Sequence, residues 1–83
     1  MHYVYITKSL KDLGFYIGCT KNIEKRISEH NKGKTISLRK RRPLVVVYIE
    51  KHDNVNDAYA REKEIKSYKG GNEFKKIING GFA

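Results

Sequence analysis

The chain has 83 residues, a single cysteine and a formal charge of +9, from 18 Lys plus Arg against 9 Asp plus Glu. That length predicts one small domain over residues 1–83 with a thin core, since chains of this size bury only about 60% of their unfolded surface. One cysteine excludes an internal disulfide and a cysteine-built metal cage. No apolar run approaches the roughly 20 residues of a membrane span, and no signal-peptide pattern opens the chain, so a reducing, cytoplasmic setting is expected.

His2 to Thr7, rich in Tyr, Val and Ile, predicts a first strand. Lys8 to Gly14 reads as a loop and Phe15 to Cys19 as a second strand, paired antiparallel because the link is short. A helix is expected from near Asn22, capped by that residue's side-chain oxygen, with Ile23 and Ile27 facing the sheet and Gly33 stopping it. Lys34 to Arg42 is a basic connector, anchored through Ile36 and Leu38 and punctuated by Pro43. Leu44 to Ile49 is the most hydrophobic run, which predicts a strand buried on both faces at the centre of the sheet. Asn54 caps a second long helix over about Val55 to Lys69, with Val55, Ala58, Tyr59, Glu62 and Ile65 on one stripe. Gly70-Gly71 ends it, and Asn72 caps a last short helix with Phe74, Ile77 and Ile78 on one side. Gly80 to Ala83 reads as a frayed tail. The expected fold is therefore α+β: a small three-stranded antiparallel sheet flanked by helices, in the order β-β-α-β-α plus a short terminal helix.

The first two strands carry the chemistry. Side chains alternate faces along a strand, so Val4 and Ile6 point one way and Tyr3 and Tyr5 the other. Phe15 and Ile17 share a face, opposite to Tyr16 and Gly18. Pairing the apolar faces puts Tyr5 and Tyr16 together on the other face, with Gly18 leaving room for a close approach. Arg26 and His30, four residues apart, stack on one face of the helix that follows. Two phenols, a guanidinium and an imidazole suit a phosphodiester, through forked donors for phosphate oxygens and groups that move a proton. The charge surplus, with a pI near 9.8, points the same way, to a polyanion and first to nucleic acid. Solubility alone is the plain alternative. An anionic membrane fits less well, because no basic amphipathic helix has a broad apolar face.

These residues resemble the GIY-YIG nuclease family. Its two signature triplets correspond to Tyr3-Val4-Tyr5 and Tyr16-Ile17-Gly18, with Tyr3 standing where the family has Gly. Arg26 and His30 follow at the family's positions, and the resemblance covers nearly the whole chain. It implies a divalent-metal-dependent endonuclease that leaves a 5′-phosphate and a 3′-hydroxyl; the expected substrate is nucleic acid, DNA before RNA, with repair or recombination as the expected setting. It also implies roles: one tyrosine helping to deprotonate the attacking water and the other orienting water or phosphate, Arg26 clamping the phosphate, and His30 contacting phosphate or assisting the tyrosine. The resemblance leaves the two tyrosines interchangeable, and we place Tyr5 on the base side and Tyr16 as its positioning partner. Glu62 matches the glutamate that holds a single Mg²⁺ or Mn²⁺. Asn72, with Asn79 as the alternative, matches a late asparagine. Cys19 stands where some relatives have lysine, which Lys21 would replace from nearby.

Each residue has a plainer reading. Glu62 in an apolar stripe is costly unless paired, and Lys66 at i+4 is a partner as good as a metal ion on pattern alone. Strand tyrosines commonly just pack, and Asn72 commonly caps. The run Arg39-Lys40-Arg41-Arg42 is either a solvated loop or a contact to the sugar-phosphate backbone that positions without reading sequence. His2 and His52 read as surface residues. Two other functions remain in view. One is a non-catalytic basic nucleic-acid-binding module of the same fold. The other is a component that cuts only when a targeting protein delivers it.

Overall fold

The computed structural model describes residues 1–80. Strands β1 (His2–Ser9), β2 (Phe15–Thr20) and β3 (Leu44–His52) form one antiparallel sheet in the order β2-β1-β3. Helix α1 (Ile23–Asn31) and a short 3-10 helix (Ile36–Arg41) follow β2, while α2 (Val55–Ser67) and α3 (Asn72–Gly80) follow β3. The α+β class and the element order agree with expectation, and the basic connector adds the 3-10 turn.

The central strand is β1, not β3. Val4, Tyr5, Ile6 and Thr7 are 0–1% exposed, because β1 pairs on both edges and is covered on both faces. The apolar run of β3 lies instead at the sheet edge, with Val45 37% exposed and Val46, Val47 and Tyr48 half-buried. β1 looks less like a central strand in sequence because one of its faces buries Tyr5, Thr7 and Ser9, polar groups that need partners rather than grease.

Register confirms the division of faces. Val4 and Ile6 sit opposite Cys19 and Ile17, and Tyr5 and Thr7 opposite Gly18 and Tyr16. The Val4–Ile6 face packs against Ala58 and Ile65 of α2 and Phe74 of α3, with Ile77 and Ile78 beside them. Phe15 meets Phe74 edge-on at 5.1 Å. Along the expected α2 stripe Ala58 and Ile65 are buried, but Tyr59 faces solvent. On the other face of β1, Tyr5 meets His30 of α1, and Leu38 of the 3-10 helix and Leu44 of β3 are also buried.

The helix boundaries follow from local chemistry. Asn22 accepts from the Lys25 amide at 3.0 Å, and Asn54 from the Asn56 amide at 2.7 Å. Gly33, at φ +82, turns the chain after α1. α2 ends at Ser67, two residues before the expected Lys69, which lies at φ +51 in the turn that follows. Asn72 is the first residue of α3 rather than its cap; the Gly71 carbonyl accepts from Lys75. Ser9 knots the far end of the hairpin. Its hydroxyl donates to the Arg41 carbonyl at 2.6 Å and accepts from the Lys11 and Asp12 amides at 3.1 Å. Gly81 to Ala83, most of the expected frayed tail, lie outside the described residues.

Candidate active site

The hairpin register aims Tyr5 and Tyr16 at α1 from neighbouring strands. Their rings are 6.3 Å apart, and both meet the His30 ring, at 6.1 Å from Tyr5 and 5.3 Å from Tyr16. Tyr5 lies across Gly18. A Cβ at Gly18 would collide with the Tyr5 hydroxyl and fall 2.6 and 2.9 Å from its ring carbons. What approaches the sheet closely at Gly18 is therefore the protein's own phenol. The glycine keeps that phenol in place.

His30 is fully buried, not a surface residue as α1 suggests in sequence. Its Nε2 lies 2.9 Å from the Tyr5 hydroxyl, and its Nδ1 lies 2.7 Å from Thr35 Oγ1. Both ring nitrogens are occupied, so His30 has no face left for a phosphate; its reach is to Tyr5. Burial, then the nearby Arg26 charge, lowers the His30 pKa below its usual 6.5, which keeps the imidazole neutral. Arg26 has only donors to offer the Tyr5 oxygen, and hydrogen bonding to that phenol is the chief cause of its own raised pKa. In the neutral tautomer in which the Tyr5 hydroxyl donates to Nε2, Nδ1–H donates to Thr35. Burial pushes the Tyr5 phenol up to about 12, opposed by Arg26 and reinforced by the charges of Tyr16 and Glu62.

Arg26 itself is open to solvent, its side chain 40% exposed and only loosely paired with Glu29 at 3.7 Å. It lines a cleft of about 330 Å³ with Cys19, Thr20, Lys21, Asn22, Lys25 and Glu29. Lys21 lies at this cleft, and Lys25, which carries no signal in the sequence, lies there too. Burial first, and then Glu62, raises the Cys19 thiol pKa.

Glu62 comes from α2, which packs over β1 and β2 from the other face. Its charge is felt at both the Tyr5 phenol and the Cys19 thiol. The pair with Lys66 also forms, at 3.0 Å, but the lysine is 54% exposed and Glu62 only 20%. An exposed i,i+4 pair of this kind is worth about 0.3–0.5 kcal/mol, too little to hold the carboxylate against a stronger ligand. No group of three metal-ligating side chains occurs among the described residues. One half-buried carboxylate is a donor set for a hard ion that keeps most of its waters and takes phosphate oxygens, as Mg²⁺ or Mn²⁺ does, and not for zinc.

The remaining candidates are scattered. Asn72 and Asn79 are exposed on α3, on the α2 side of the sheet, and neither lines the cleft. Arg41 pairs with Asp12 at 3.0 Å, pinning the hairpin loop to the 3-10 helix. Arg39 and Arg42 donate from Nε to the carbonyls of Gly33 and Arg39, at 2.9 and 2.8 Å, and Lys40 is exposed between them. His52 is no bare surface residue: it contacts Glu50 at 2.7 Å, beside the Glu50–Arg61 pair. Thr35, which orients His30, had no signal in the sequence, since a single Thr in a basic connector looks like any other.

A family model described as "GIY-YIG catalytic domain" matches residues 1–75. The chain is 46% identical over 77 residues to a UPF0213 protein of Staphylococcus haemolyticus, covering 92% of this chain and 93% of that one. It is 44% identical over 80 residues to a UPF0213 protein of Staphylococcus saprophyticus, covering 95% and 96%. No solved structure gives a significant match. No helix among the described residues is long and apolar enough to cross a membrane.

Proposed function

The chain belongs to the GIY-YIG family, and on that premise we propose that it is a divalent-metal-dependent endonuclease that hydrolyses phosphodiester bonds in DNA, in repair or recombination in the cytoplasm. The observation that carries this reading is the Tyr5 hydroxyl held at 2.9 Å from a buried His30 whose pKa is lowered, with Arg26 beside it at the cleft.

Water attacks phosphorus while its proton passes to the Tyr5 oxygen, and the Tyr5 proton passes to His30 Nε2. A phenol with a pKa of about 12 is scarcely ionised at neutral pH, so a relay serves better than a standing phenolate. Thr35 Oγ1 accepts from Nδ1–H and holds the tautomer in which Nε2 is unprotonated and accepts from Tyr5. Tyr16, edge-on to His30, positions the water or the phosphate. Arg26 forks onto the phosphate oxygens, where charge grows as the bond to the 3′ oxygen breaks. The leaving oxygen takes up a solvent proton, giving a 3′-hydroxyl and a 5′-phosphate. Glu62 would hold a single Mg²⁺ or Mn²⁺, which supplies charge stabilisation to the phosphate when bound.

The test is cleavage of plasmid and single-stranded DNA with Mg²⁺ or Mn²⁺, beside Glu62→Ala and Arg26→Ala. Metal-dependent nicking that both variants lose by about a hundredfold or more supports the enzyme. Binding without cleavage by the wild type supports a non-catalytic nucleic-acid module instead, a reading favoured by the Glu62–Lys66 pair. Cleavage that appears only with cell extract points to a targeting partner.

A further inference from the structure

At the C-terminal end of α1 lies a second concavity of about 480 Å³, lined by Lys11, Asn31, Arg39, Lys40, Arg42 and Pro43. Four cations and no acid face it. Like charges gathered this way repel one another unless an anion is meant to sit among them. The two arginines are held ready. Each spends its Nε on a backbone carbonyl, of Gly33 for Arg39 and of Arg39 for Arg42, which leaves the outer nitrogens for a ligand. Gly33 makes room for this: a Cβ there would fall 2.7 Å from Arg42 Nη1 and 3.5 Å from Arg39 Cγ. Asn31 is committed to the Leu44 backbone through both ends of its amide, at 2.8 and 3.0 Å, and frames the groove instead of binding in it. The Arg41–Asp12 pair and the Leu10 amide bond to the Pro43 carbonyl, both at 3.0 Å, fasten the loop carrying Lys11 to the segment carrying the arginines.

We propose that this groove is a second phosphate-binding site, which grips the backbone of the bound strand away from the bond being cut. The proposal rests on the reading of the chain as acting on nucleic acid. Both concavities border α1, one beside Arg26 and the other beside Asn31. Those residues are about 7.5 Å apart along the helix axis and on different sides of it. A strand joining the two sites therefore travels on the order of 12 Å, or roughly three to four nucleotides at about 3.4 Å each. The site takes sugar-phosphate and reads no base, so its effect is a dependence on substrate length.

The experiment measures anisotropy of fluorescein-labelled dT3 and dT12 across salt concentrations, without divalent ion so that nothing is cut. Wild type is compared with the Lys11→Glu/Lys40→Glu double variant. Both lysines are exposed, and neither side chain has a hydrogen bond or ion pair among the described residues. Expected is a loss of about tenfold in dT12 affinity at low salt and a salt slope smaller by about 1.4, for two single-strand phosphate contacts, while dT3 binding changes little. Unchanged dT12 affinity and slope would overturn the proposal. So would inorganic phosphate competing as well as dT12 at equal phosphate concentration, which marks a free-anion site. Lysine-dependent dT12 binding by a wild type that never cuts DNA supports the groove and sinks catalysis. Cutting with lysine-independent binding does the reverse.

Discussion

The two faces of β1 are equally dry and are built on opposite principles. Val4 and Ile6 are closed over by Ala58, Ile65 and Phe74, and need only volume. Tyr5, Thr7 and Ser9, buried just as deeply, each need a named partner: His30 Nε2, the Tyr16 carbonyl and the Arg41 carbonyl. The apolar face stabilises in proportion to area and tolerates repacking. The polar face contributes little net energy per hydrogen bond but costs heavily when one partner is removed. Position is what the second face supplies: it holds a buried phenol against a buried imidazole, beneath a cleft that Arg26 lines.

Substitutions on the two faces should therefore fail in different ways. Tyr5→Phe keeps the ring and deletes the relay oxygen. Cleavage should fall by about 10²–10⁴-fold, while the melting transition drops modestly because His30 Nε2 loses its partner. A cleavage time course read beside a melting curve checks this, and near-normal activity would remove Tyr5 from the chemistry. Ile6→Ala should show the reverse, losing about 2–5 kcal/mol in urea unfolding with activity per folded molecule retained. Gly18→Ala sharpens the contrast, because it adds one methyl group where Tyr5 already lies. A cost of about 1–3 kcal/mol is expected, together with lost cleavage and a changed tyrosine near-UV signal. Unaltered cleavage would mean the phenol does not have to lie where it does.

What the sequence made legible was local. Strand alternation places Tyr5 and Tyr16 on one face, and Asn22 and Asn54 cap because an Asx side chain reaches its own helix within two or three residues. The polar face was not legible, because its partners lie 25, 9 and 32 residues away along the chain. For that reason the burial of His30, the part played by Thr35 and the central place of β1 leave no local mark in the sequence. Arg41 looked interchangeable with its basic neighbours, yet Asp12 holds it as a fastener.

The smallest expected effect separates the faces by titration, since Val4, Ile6 and their neighbours carry no proton to exchange. The folded state lowers the His30 pKa below 6.5, so between the folded and unfolded values the unfolded chain binds more protons and stability rises with pH. The contribution of His30 is complete above 6.5 and is lost as pH falls through its folded pKa. The cleavage rate should fall over the same window, because a protonated imidazole cannot accept from Tyr5. His2 is lowered too, by slight burial and then the N-terminus and Lys21, so wild type alone does not isolate the effect. His30→Gln does: urea unfolding between about pH 5 and 8 should show a shallower rise with pH than wild type. Tyr5 adds no limb in that range. Its phenol, raised to about 12, favours the fold fully below 10 and loses that contribution only between 10 and 12. If wild type and His30→Gln gave parallel profiles, the buried imidazole would be a packing residue, and the proton leaving the attacking water would need another acceptor.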